Sequence, residues 1–361
     1  MSDNLLLEAL DRILRDLMDT EEPFSTNILI LSGDFRQLPT IKPKGTRAQV
    51  VKASICKSKL WRFFKVLELK ENMRIRNCGN DPKMVEFYQW LEKLGDGKLE
   101  TQQDTDYISL PANICTEIDT GLEESFQNDA ISFVFGDINT ECKKIDWSTF
   151  VSKRAILAPL NETVDKLNNV CLDRMPGEDI ILGGINKTVD PNDATSYTSE
   201  YIESLEAPGI PPSKLRIKVG APIILLRNLN SDIGLVNGTR LIVKDVINGR
   251  LIKAEIAVGQ HKGRLVLLPK IPLRPADATG YGFEWERLQF PIRVAFAMTI
   301  NKAQGQTLEK VSVWLKDPCF GHGQLYVAIS RVGDPKNIMV FTGKKDGMPQ
   351  RCKRNVVYEE L

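Results

Sequence analysis

The chain has 361 residues, 42% of them hydrophobic, so it is long enough to bury more than one compact core. Its 48 lysine and arginine residues balance 47 aspartate and glutamate residues, which leaves a net charge of +1. This balance excludes a global field that draws the protein to nucleic acid or membrane, so polyanions must be bound by local patches. Seven scattered cysteines and two histidines argue against a disulfide scaffold and against a metal site.

The chain begins with an amphipathic pattern followed by a short apolar run. Leucine, isoleucine and alanine recur at steps of one and three over residues 5–17, which predicts a helix. Residues 27–32 (NILILS) are typical of a buried parallel strand, and the polar residues 33–39 (GDFRQLP) follow them. Since α/β sheets bind ligands at the carboxyl ends of their strands, Gly33, Asp34 and Gln37 are candidate site residues. A plain turn is the alternative.

A basic segment with aromatic neighbours comes next. Lys42, Lys44 and Arg47 precede a tryptophan and two phenylalanines at positions 61, 63 and 64. Such a pattern can hold single-stranded nucleic acid, because cations pair with phosphates and bases stack on rings, although a solvated helix face is an equal alternative. Residues 66–69 read as a second strand, and Asp81 and Pro82 predict the start of a helix that ends at residue 95.

The residue pattern changes twice in the middle of the chain. Residues 95–150 are polar, acidic and weakly periodic, which is compatible with small helices or irregular structure, and the sequence predicts nothing more for them. A strand at 154–159 and a helix capped by Asn161 restart the β–α alternation, so a second α/β domain is expected from about residue 150. Between residues 219 and 271, β-type runs alternate with turns, and Asn248-Gly249 is a hairpin signal. This pattern predicts a small antiparallel barrel inserted into the second domain.

Residues 296–331 have the pattern of a phosphate-sensing segment. An apolar strand breaks into a polar turn holding Lys302, Gln304 and Gly305, and a second strand leads to a helix that ends at Arg331. An exposed glycine backbone and an arginine fork both suit an anionic ligand. The alternatives are turn capping for Gln304 and Thr307, and a helix-end cation for Arg331.

Several motifs in order give the chain a family resemblance. They lie at residues 33–39, 69–74, 208–212 with 219–228, 237–240, 296–307 and 322–331. With these motifs the chain resembles the PIF family of superfamily 1 DNA helicases, most closely the branch carried by Helitron transposons. The resemblance covers nearly the whole chain. It implies an α/β fold, namely the C-terminal part of a helicase with two RecA-like domains of the P-loop NTPase type. The small antiparallel barrel would be an insertion in the second of these domains.

The resemblance also implies roles for individual residues. Gln37 would sense the terminal phosphate of the nucleotide, and Arg74 and Arg331 would reach the same phosphate, where a fixed guanidinium stabilises transferring charge. The other nucleotide-site residues would be Gly33, Asp34, Lys302, Gln304 and Gly305. The nucleic-acid contacts would be Lys42, Lys44, Arg47, Asn301 and Thr307.

The family resemblance implies an ATP-dependent DNA helicase that moves 5′ to 3′ on single strands and unwinds duplexes in repair, recombination, telomere maintenance or transposition. ATP and Mg²⁺ would be its cofactors, single-stranded or forked DNA its partner, and the nucleus its location, with the mitochondrion as the alternative. No membrane contact is expected. The implied division is 1–76 for a remnant of the first motor domain, 77–150 for a connecting segment, 151–218 and 276–361 for the second motor domain, and 219–275 for the barrel.

The chain departs from the family in one respect. It contains neither a G-x-x-x-x-G-K-[ST] phosphate loop nor the Asp-Glu pair that holds magnesium. By the resemblance, residue 1 falls just after that pair, as an incomplete gene model, an alternative start or a decayed transposon would produce. We therefore expect the chain alone to lack ATPase activity. The alternative function is a non-catalytic module that binds single-stranded nucleic acid or another protein.

Overall fold

The computed structural model describes residues 2–42, 45–77, 81–102, 105–119, 121–144, 147–190, 192, 196–207, 209–275, 281–343 and 349–361. Its helices are α1 (Asn4–Met18), α2 (Arg47–Lys52), α3 (Met73–Asn77), α4 (Pro82–Gly95), α5 (Glu123–Phe135), α6 (Ile138–Glu141), α7 (Trp147–Ser152), α8 (Asn161–Arg174), α9 (Ser199–Ser204), α10 (Ile300–Ala303) and α11 (Gln324–Ile329). Short 3₁₀ helices lie at Pro23–Thr26, Ile55–Lys57, Lys59–Phe63, Ser231–Ile233 and Pro335–Asn337.

The strands are β1 (Tyr107–Ser109), β2 (Cys115–Ile118), β3 (Arg154–Ala158), β4 (Ile180–Gly183), β5 (Ile185–Thr188), β6 (Lys214–Ile217), β7 (Pro222–Leu225), β8 (Arg240–Ile247), β9 (Leu251–Ile256), β10 (Leu265–Pro269), β11 (Ile271–Leu273), β12 (Trp285–Gln289), β13 (Ile292–Val294), β14 (Ala297–Thr299), β15 (Lys310–Leu315), β16 (Ile338–Gly343) and β17 (Cys352–Arg354). The chain divides into two compact units, Met1–Phe126 with Thr299–Leu361, and Gln127–Met298. The five-part division expected from the resemblance stays a prediction.

The first unit contains a parallel sheet of buried strands. β15 pairs with β16, with Val313 opposite Val340, and β16 pairs with β2, with Val340 opposite Cys115. Apolar side chains on both faces of β15 fit this position, because a parallel sheet is covered on both sides. The strand that was expected after residue 310 is therefore confirmed, whereas β2 lies in a segment for which the sequence predicted no strand.

Two predicted strands of the first unit are wrong. Within the described parts of the chain, neither residues 27–32 nor residues 66–69 are assigned to a strand. Ile28 and Ile30 are 92% and 85% exposed, and Leu69 is fully exposed. An apolar run becomes a strand only where a neighbouring backbone accepts and donates its hydrogen bonds, and the described residues place none beside these two segments.

The predicted N-terminal helix is confirmed as α1. The Asp3 side chain caps it by accepting a hydrogen bond from the Leu5 amide. Leu7 packs with Phe24 and Leu60 in a small core, while most of the remaining apolar side chains of α1 are exposed. The helix therefore buries only a narrow part of its apolar face.

The second unit follows the sequence pattern closely. β7, β8, β9, β10 and β13 form a five-stranded antiparallel sheet in the order β10-β9-β8-β7-β13. The predicted hairpin joins β8 to β9, and both Asn248 and Gly249 have positive φ, at 50° and 65°. Asparagine and glycine accept this left-handed geometry more readily than other residues, which is why the pair marks the turn.

Two details of the second unit differ from or extend the sequence analysis. Asn161 is the first residue of α8 and not its cap, and its Oδ1 accepts a hydrogen bond of 2.8 Å from Arg293. Arg240, from the motif at 237–240, is buried and donates to the carbonyls of Ser152, Arg154 and Ala295. Burial lowers the pKa of Arg240 to about 10. Its role is to satisfy backbone acceptors inside the unit.

None of the helices that the structure describes has both the length and the apolar character needed to cross a membrane.

The adjacent residues Leu29 and Ile30 test the exposure of the 27–32 segment. Leu29 packs against the core of Leu7, Phe24 and Leu60, whereas Ile30 points into solvent. We expect Leu29→Ser to lower the free energy of unfolding by about 1–3 kcal/mol and Ile30→Ser to change it by less than about 0.5 kcal/mol. Urea unfolding measures both, and a comparable loss in the two variants would show that Ile30 is packed.

Candidate functional site

Side chains from three distant parts of the sequence meet in the first unit. The Gln304 amide Nε2 donates to Oε1 of Gln37 at 3.1 Å, and Gln37 Nε2 donates to Oδ2 of Asp34 at 3.3 Å. The Tyr326 hydroxyl donates to the same carboxylate oxygen at 3.2 Å. We call these four residues the amide relay. It joins Asp34, Gln37 and Gln304, three of the residues singled out in the sequence, by direct hydrogen bonds.

The loop that carries Asp34 and Gln37 is a tight turn. Asp34 Oδ1 accepts from the Arg36 amide at 3.0 Å, and the Asp34 carbonyl accepts from the Gln37 amide at 3.1 Å. An aspartate side chain that bonds to the backbone two residues later is a common way to hold such a turn. Burial, with the neighbouring Asp34 carboxylate, raises the pKa of Tyr326, so its hydroxyl remains the donor of the relay.

A glycine in the loop before α11 allows the Gln37 loop to approach closely. Gly323 has φ of +70°, and a Cβ added to it would lie 2.3 Å from the Arg36 carbonyl oxygen and 2.9 Å from the Gln37 carbonyl carbon. No real Cβ makes such contacts, and L-residues with a side chain rarely adopt this φ. Glycine at position 323 is therefore required twice, once by the backbone angle and once by the space.

Arg331 is buried and bonded to the elements that carry the relay. Its Nε donates to the Val327 carbonyl at 2.8 Å, and its Nη1 donates to the Gln306 carbonyl at 3.1 Å and more weakly to that of Ala303 at 3.4 Å. Val327 lies in α11, and the other two residues flank Gln304. The guanidinium therefore braces the turn of Gln304 against α11.

Arg74 lies next to Arg331. Its side chain is exposed, and Nη1 donates to the Ser330 carbonyl at 3.3 Å. Burial lowers the pKa of Arg331, and the nearby Arg74 charge lowers it further. Two guanidinium groups in proximity repel each other, and an anion bound beside them would relieve that repulsion. The structure brings Arg74, Arg331 and the relay into one region, and their role as a phosphate site stays a prediction.

The remaining nucleotide-site candidates lie around the same turn. Gly305 and Gly33 are exposed, and a Cβ added to either would meet nothing within 4 Å. The Lys302 carbonyl accepts from Gln306 Nε2 at 3.0 Å, which closes the turn after α10. Gly33 and Gly305 lie in the loops that carry Gln37 and Gln304, and Lys302 lies on α10, two residues before Gln304.

The predicted nucleic-acid contacts are mostly engaged within the chain. Lys42 pairs with Asp3, with 2.5 Å between Nζ and Oδ2, and Arg47 makes two bonds to the Glu360 carboxylate while its guanidinium lies 4.8 Å above the Tyr358 ring. Thr307 is exposed, and Asn301 accepts a hydrogen bond from Gln324. Lys44 lies outside the described residues.

His322 is the first residue of the motif at 322–331 and lies next to the loop of Asp34 and Gln37. It is 2% exposed, its Nε2 bonds to the Phe35 carbonyl at 2.8 Å, and its Nδ1 accepts from the Tyr358 amide at 2.8 Å. It therefore ties the Asp34–Gln37 loop to the segment near residue 358. Cys319 is buried too, and the described residues contain no cluster of three or more His, Cys, Asp or Glu side chains that could hold a metal.

Tyr326 was not singled out from the sequence. Its position on α11, five residues before Arg331, was visible, but its bond to Asp34 depends on an approach of segments 292 residues apart. A tyrosine inside a short apolar helix is usually a core residue. Tyr326 differs from a core tyrosine in that its hydroxyl bonds to a carboxylate, and this contact cannot be seen in the sequence.

Comparison with known proteins gives two matches to families. The family described as PIF1-like helicase matches residues 1–105, and the one described as DNA helicase Pif1, 2B domain, matches residues 200–246. The chain is 27% identical over 331 residues to the ATP-dependent DNA helicase Pif1 of Campylobacter jejuni, covering 89% of this chain and 64% of that protein. It is 27% identical over 363 residues to human ATP-dependent DNA helicase PIF1, covering 98% of this chain and 46% of that protein.

Among solved structures, the chain is similar to Pif1 helicase from Bacteroides in complex with ADP-AlF3 and ssDNA. The TM-score is 0.60 at 20% identity, with 99% of this chain and 71% of that chain covered. Pif1 helicase from Candida albicans gives a TM-score of 0.57 at 23% identity, covering 94% and 70%. At these identities the likeness shows the fold. The chain spans between 44% and 64% of the length of the first three curated relatives.

The two glycines at positions 323 and 305 form a matched pair for testing the close approach. Both have positive φ, but only Gly323 faces backbone atoms at contact distance. We expect Gly305→Ala to lower the free energy of unfolding by about 1 kcal/mol, from backbone strain alone, and Gly323→Ala to lower it by about 2–4 kcal/mol. Equal losses in denaturant unfolding would show that the Arg36 backbone moves aside without cost.

Burial of His322 predicts a pH dependence of stability. Burial lowers the pKa of His322, so the unfolded chain takes up a proton near its ordinary pKa of about 6.5 while the folded chain resists it. The contribution to stability is therefore present above the ordinary pKa of about 6.5 and is lost as the pH falls below it towards the lowered pKa of the folded chain. We expect His322→Gln to flatten the plot of unfolding free energy against pH below about pH 7.

Urea unfolding at a series of pH values measures the slope of unfolding free energy against pH. If the slope were the same in wild type and in His322→Gln, His322 would not be its source.

Proposed function

The chain belongs to the PIF1-like helicase family, and we propose that it provides the phosphate-sensing residues and DNA-side elements of an ATP-dependent DNA helicase. Its fold is that of the RecA-like P-loop NTPases. The proposal extends to movement 5′ to 3′ on single-stranded DNA and to unwinding of forked DNA. The proposed location is the nucleus.

The amide relay is the observation that carries this proposal. Gln37, Gln304 and Arg331 come from segments that are far apart in the sequence, yet hydrogen bonds bring them into one cluster beside Arg74. The cluster offers amide and guanidinium N–H groups to a ligand, which suits an oxyanion. A sensor of this type stabilises a phosphate by placed donors and reports its presence through the elements that carry them.

The described residues fit a phosphate group better than they fit a metal. Gln37 and Arg74 would donate to the terminal phosphate that bound ATP would supply. Among the described residues no group of three or more His, Cys, Asp or Glu side chains could hold a metal, and the sequence holds no Asp-Glu pair. We therefore assign to this chain the sensing of the phosphate, and no step that depends on a metal.

Single-stranded DNA is the proposed partner. The Bacteroides Pif1 to which the chain is similar was crystallised with ssDNA, and a second similar structure, with a TM-score of 0.60 at 19% identity, concerns unwinding at forked dsDNA. The non-catalytic single-strand-binding module is the second candidate, and it is favoured by the absence of a phosphate loop from the 361 residues. Hydrolysis and binding assays distinguish the two functions.

The proposal predicts single-strand binding without hydrolysis. We expect the purified chain to bind an oligothymidine of about 20 nucleotides, and to bind a duplex of equal length more weakly. If about three phosphates are neutralised, affinity should fall roughly 20-fold between about 50 and 200 mM salt. Fluorescence anisotropy measures this titration, and no binding at low salt would remove both candidate functions.

The ATPase assay completes the experiment. We expect no DNA-stimulated hydrolysis by the chain alone, because nothing in its sequence replaces the phosphate loop. The matched control is Arg74→Ala, which should give the same background. Hydrolysis by the wild type that is lost in this variant would contradict the expected absence of ATPase activity and would indicate a complete catalytic site.

A further inference from the structure

The amide relay fixes which way round the Gln37 side chain faces, and we infer that Asp34 and Gln304 are positioning residues that act through Gln37. This inference rests on the proposed function, in which Gln37 contacts a phosphate. An amide has a donating end and an accepting end of nearly the same shape. Whether Gln37 offers N–H or C=O to a ligand therefore depends on its neighbours.

The polarity of the relay originates at Asp34. An ionised carboxylate only accepts hydrogen bonds, so the end of Gln37 that lies 3.3 Å from Asp34 Oδ2 must be the NH₂ group. Its Oε1 is then directed to Gln304, which must donate, as it does at 3.1 Å. The carboxylate in turn is held by the Arg36 amide and by the Tyr326 hydroxyl. Tyr326 thus acts on Gln37 through Asp34.

The orientation of the Gln304 amide is set by Gln37 and Asp34 and not by its other neighbours. With Nε2 facing Gln37, its Oε1 is buried and has no hydrogen-bond partner within the described structure. Leaving a buried acceptor unsatisfied is unfavourable, and the opposite rotamer would place two amide oxygens against each other. The observed orientation is therefore the one that Asp34 and Gln37 require.

The orientation of the Gln37 amide determines which hydrogen-bonding group it offers to a ligand. One N–H of Gln37 is used by Asp34, and the second N–H of the same nitrogen remains to be donated. That remaining donor suits a phosphate oxygen. Both ends of the relay also start from elements braced by Arg331, since Tyr326 lies on α11 and Gln304 lies between the Ala303 and Gln306 carbonyls that Arg331 binds. A displacement of Arg331 would therefore be transmitted to Gln37 in two ways, through Tyr326 and Asp34 and through Gln304.

Exchanging the carboxylate and the amide between positions 34 and 304 tests the relay in the full chain. In Asp34→Asn, the new NH₂ group can donate where only an acceptor stood, and in Gln304→Glu, the new carboxylate can only accept. Gln304→Glu alone opposes Asp34, because two acceptors then face the two ends of one amide, whereas after Asp34→Asn alone both the Gln37 and the Gln304 amide can rotate by 180° and restore the bonds. In the double variant the Gln37 amide can rotate by 180° and donate to the new carboxylate at position 304 while it accepts from the new amide at position 34. We expect Gln304→Glu to lower the unfolding midpoint by about 2–4 °C, Asp34→Asn to lower it by less, and the double variant to return to within about 1 °C of wild type.

Gln306 provides the matched control. It is close in sequence to Gln304, but its Nε2 donates to the Lys302 carbonyl and is not part of the relay. Gln306→Glu combined with Asp34→Asn should show additive losses. If the Asp34→Asn and Gln304→Glu losses were additive as well, the inference would be overturned.

The second readout separates positioning from simple stability. The side-chain amide of Gln37 is followed by NMR in protein labelled with ¹⁵N-glutamine, assigned with Gln37→Leu, during titration with inorganic phosphate. We expect the amide signals to shift in wild type and not in the stable double variant, whose amide is reversed. Retention of the shift in the double variant would overturn the claim that orientation selects the ligand. Absence of a shift in wild type would refute the phosphate contact of the proposed function, while the unfolding midpoints would still decide the orientation.

Discussion

The buried guanidinium of Arg331 replaces water as the donor for carbonyl groups at the end of α11 and in the turn after α10. Those carbonyls have no helix to continue into, and a buried carbonyl without a partner is costly. One planar fork satisfies several of them at once because its N–H groups diverge in fixed directions. The turn of Gln304 and the helix of Tyr326 therefore keep one relative position, and the hydrogen bonds to Gln37 depend on it.

Sequence patterns predicted the second unit well because its information is local. The hairpin at Asn248 and Gly249 follows from two residues that tolerate positive φ, and the flanking strands follow from apolar alternation. The first unit was harder to predict. β2 pairs with a strand more than 200 residues away, and its own segment is polar. The run at 27–32 has strand composition, yet it forms no strand because composition does not provide a neighbouring backbone.

The candidate site shows the same limit. Family resemblance identified Gln37, Gln304 and Arg331, but not the bonds that connect them. Tyr326 and His322 could not be distinguished from core residues, because their polar atoms find partners only where distant segments approach. The requirement for glycine at position 323 likewise becomes visible only with the Arg36 carbonyl in place. A motif can list the residues of a site, whereas the order in which they support each other is a property of the folded chain.

The close approach at Gly323 has a mechanical consequence. Van der Waals repulsion rises steeply as atoms are pressed together and offers almost no resistance when they separate. Motion of α11 towards the Gln37 loop would therefore be transmitted at once, as between rigid bodies. Motion away is resisted by hydrogen bonds such as those from His322 and Tyr326, which stretch and break within a few tenths of an ångström to an ångström or so. The contact acts as a one-way stop, stiff in compression and compliant in opening.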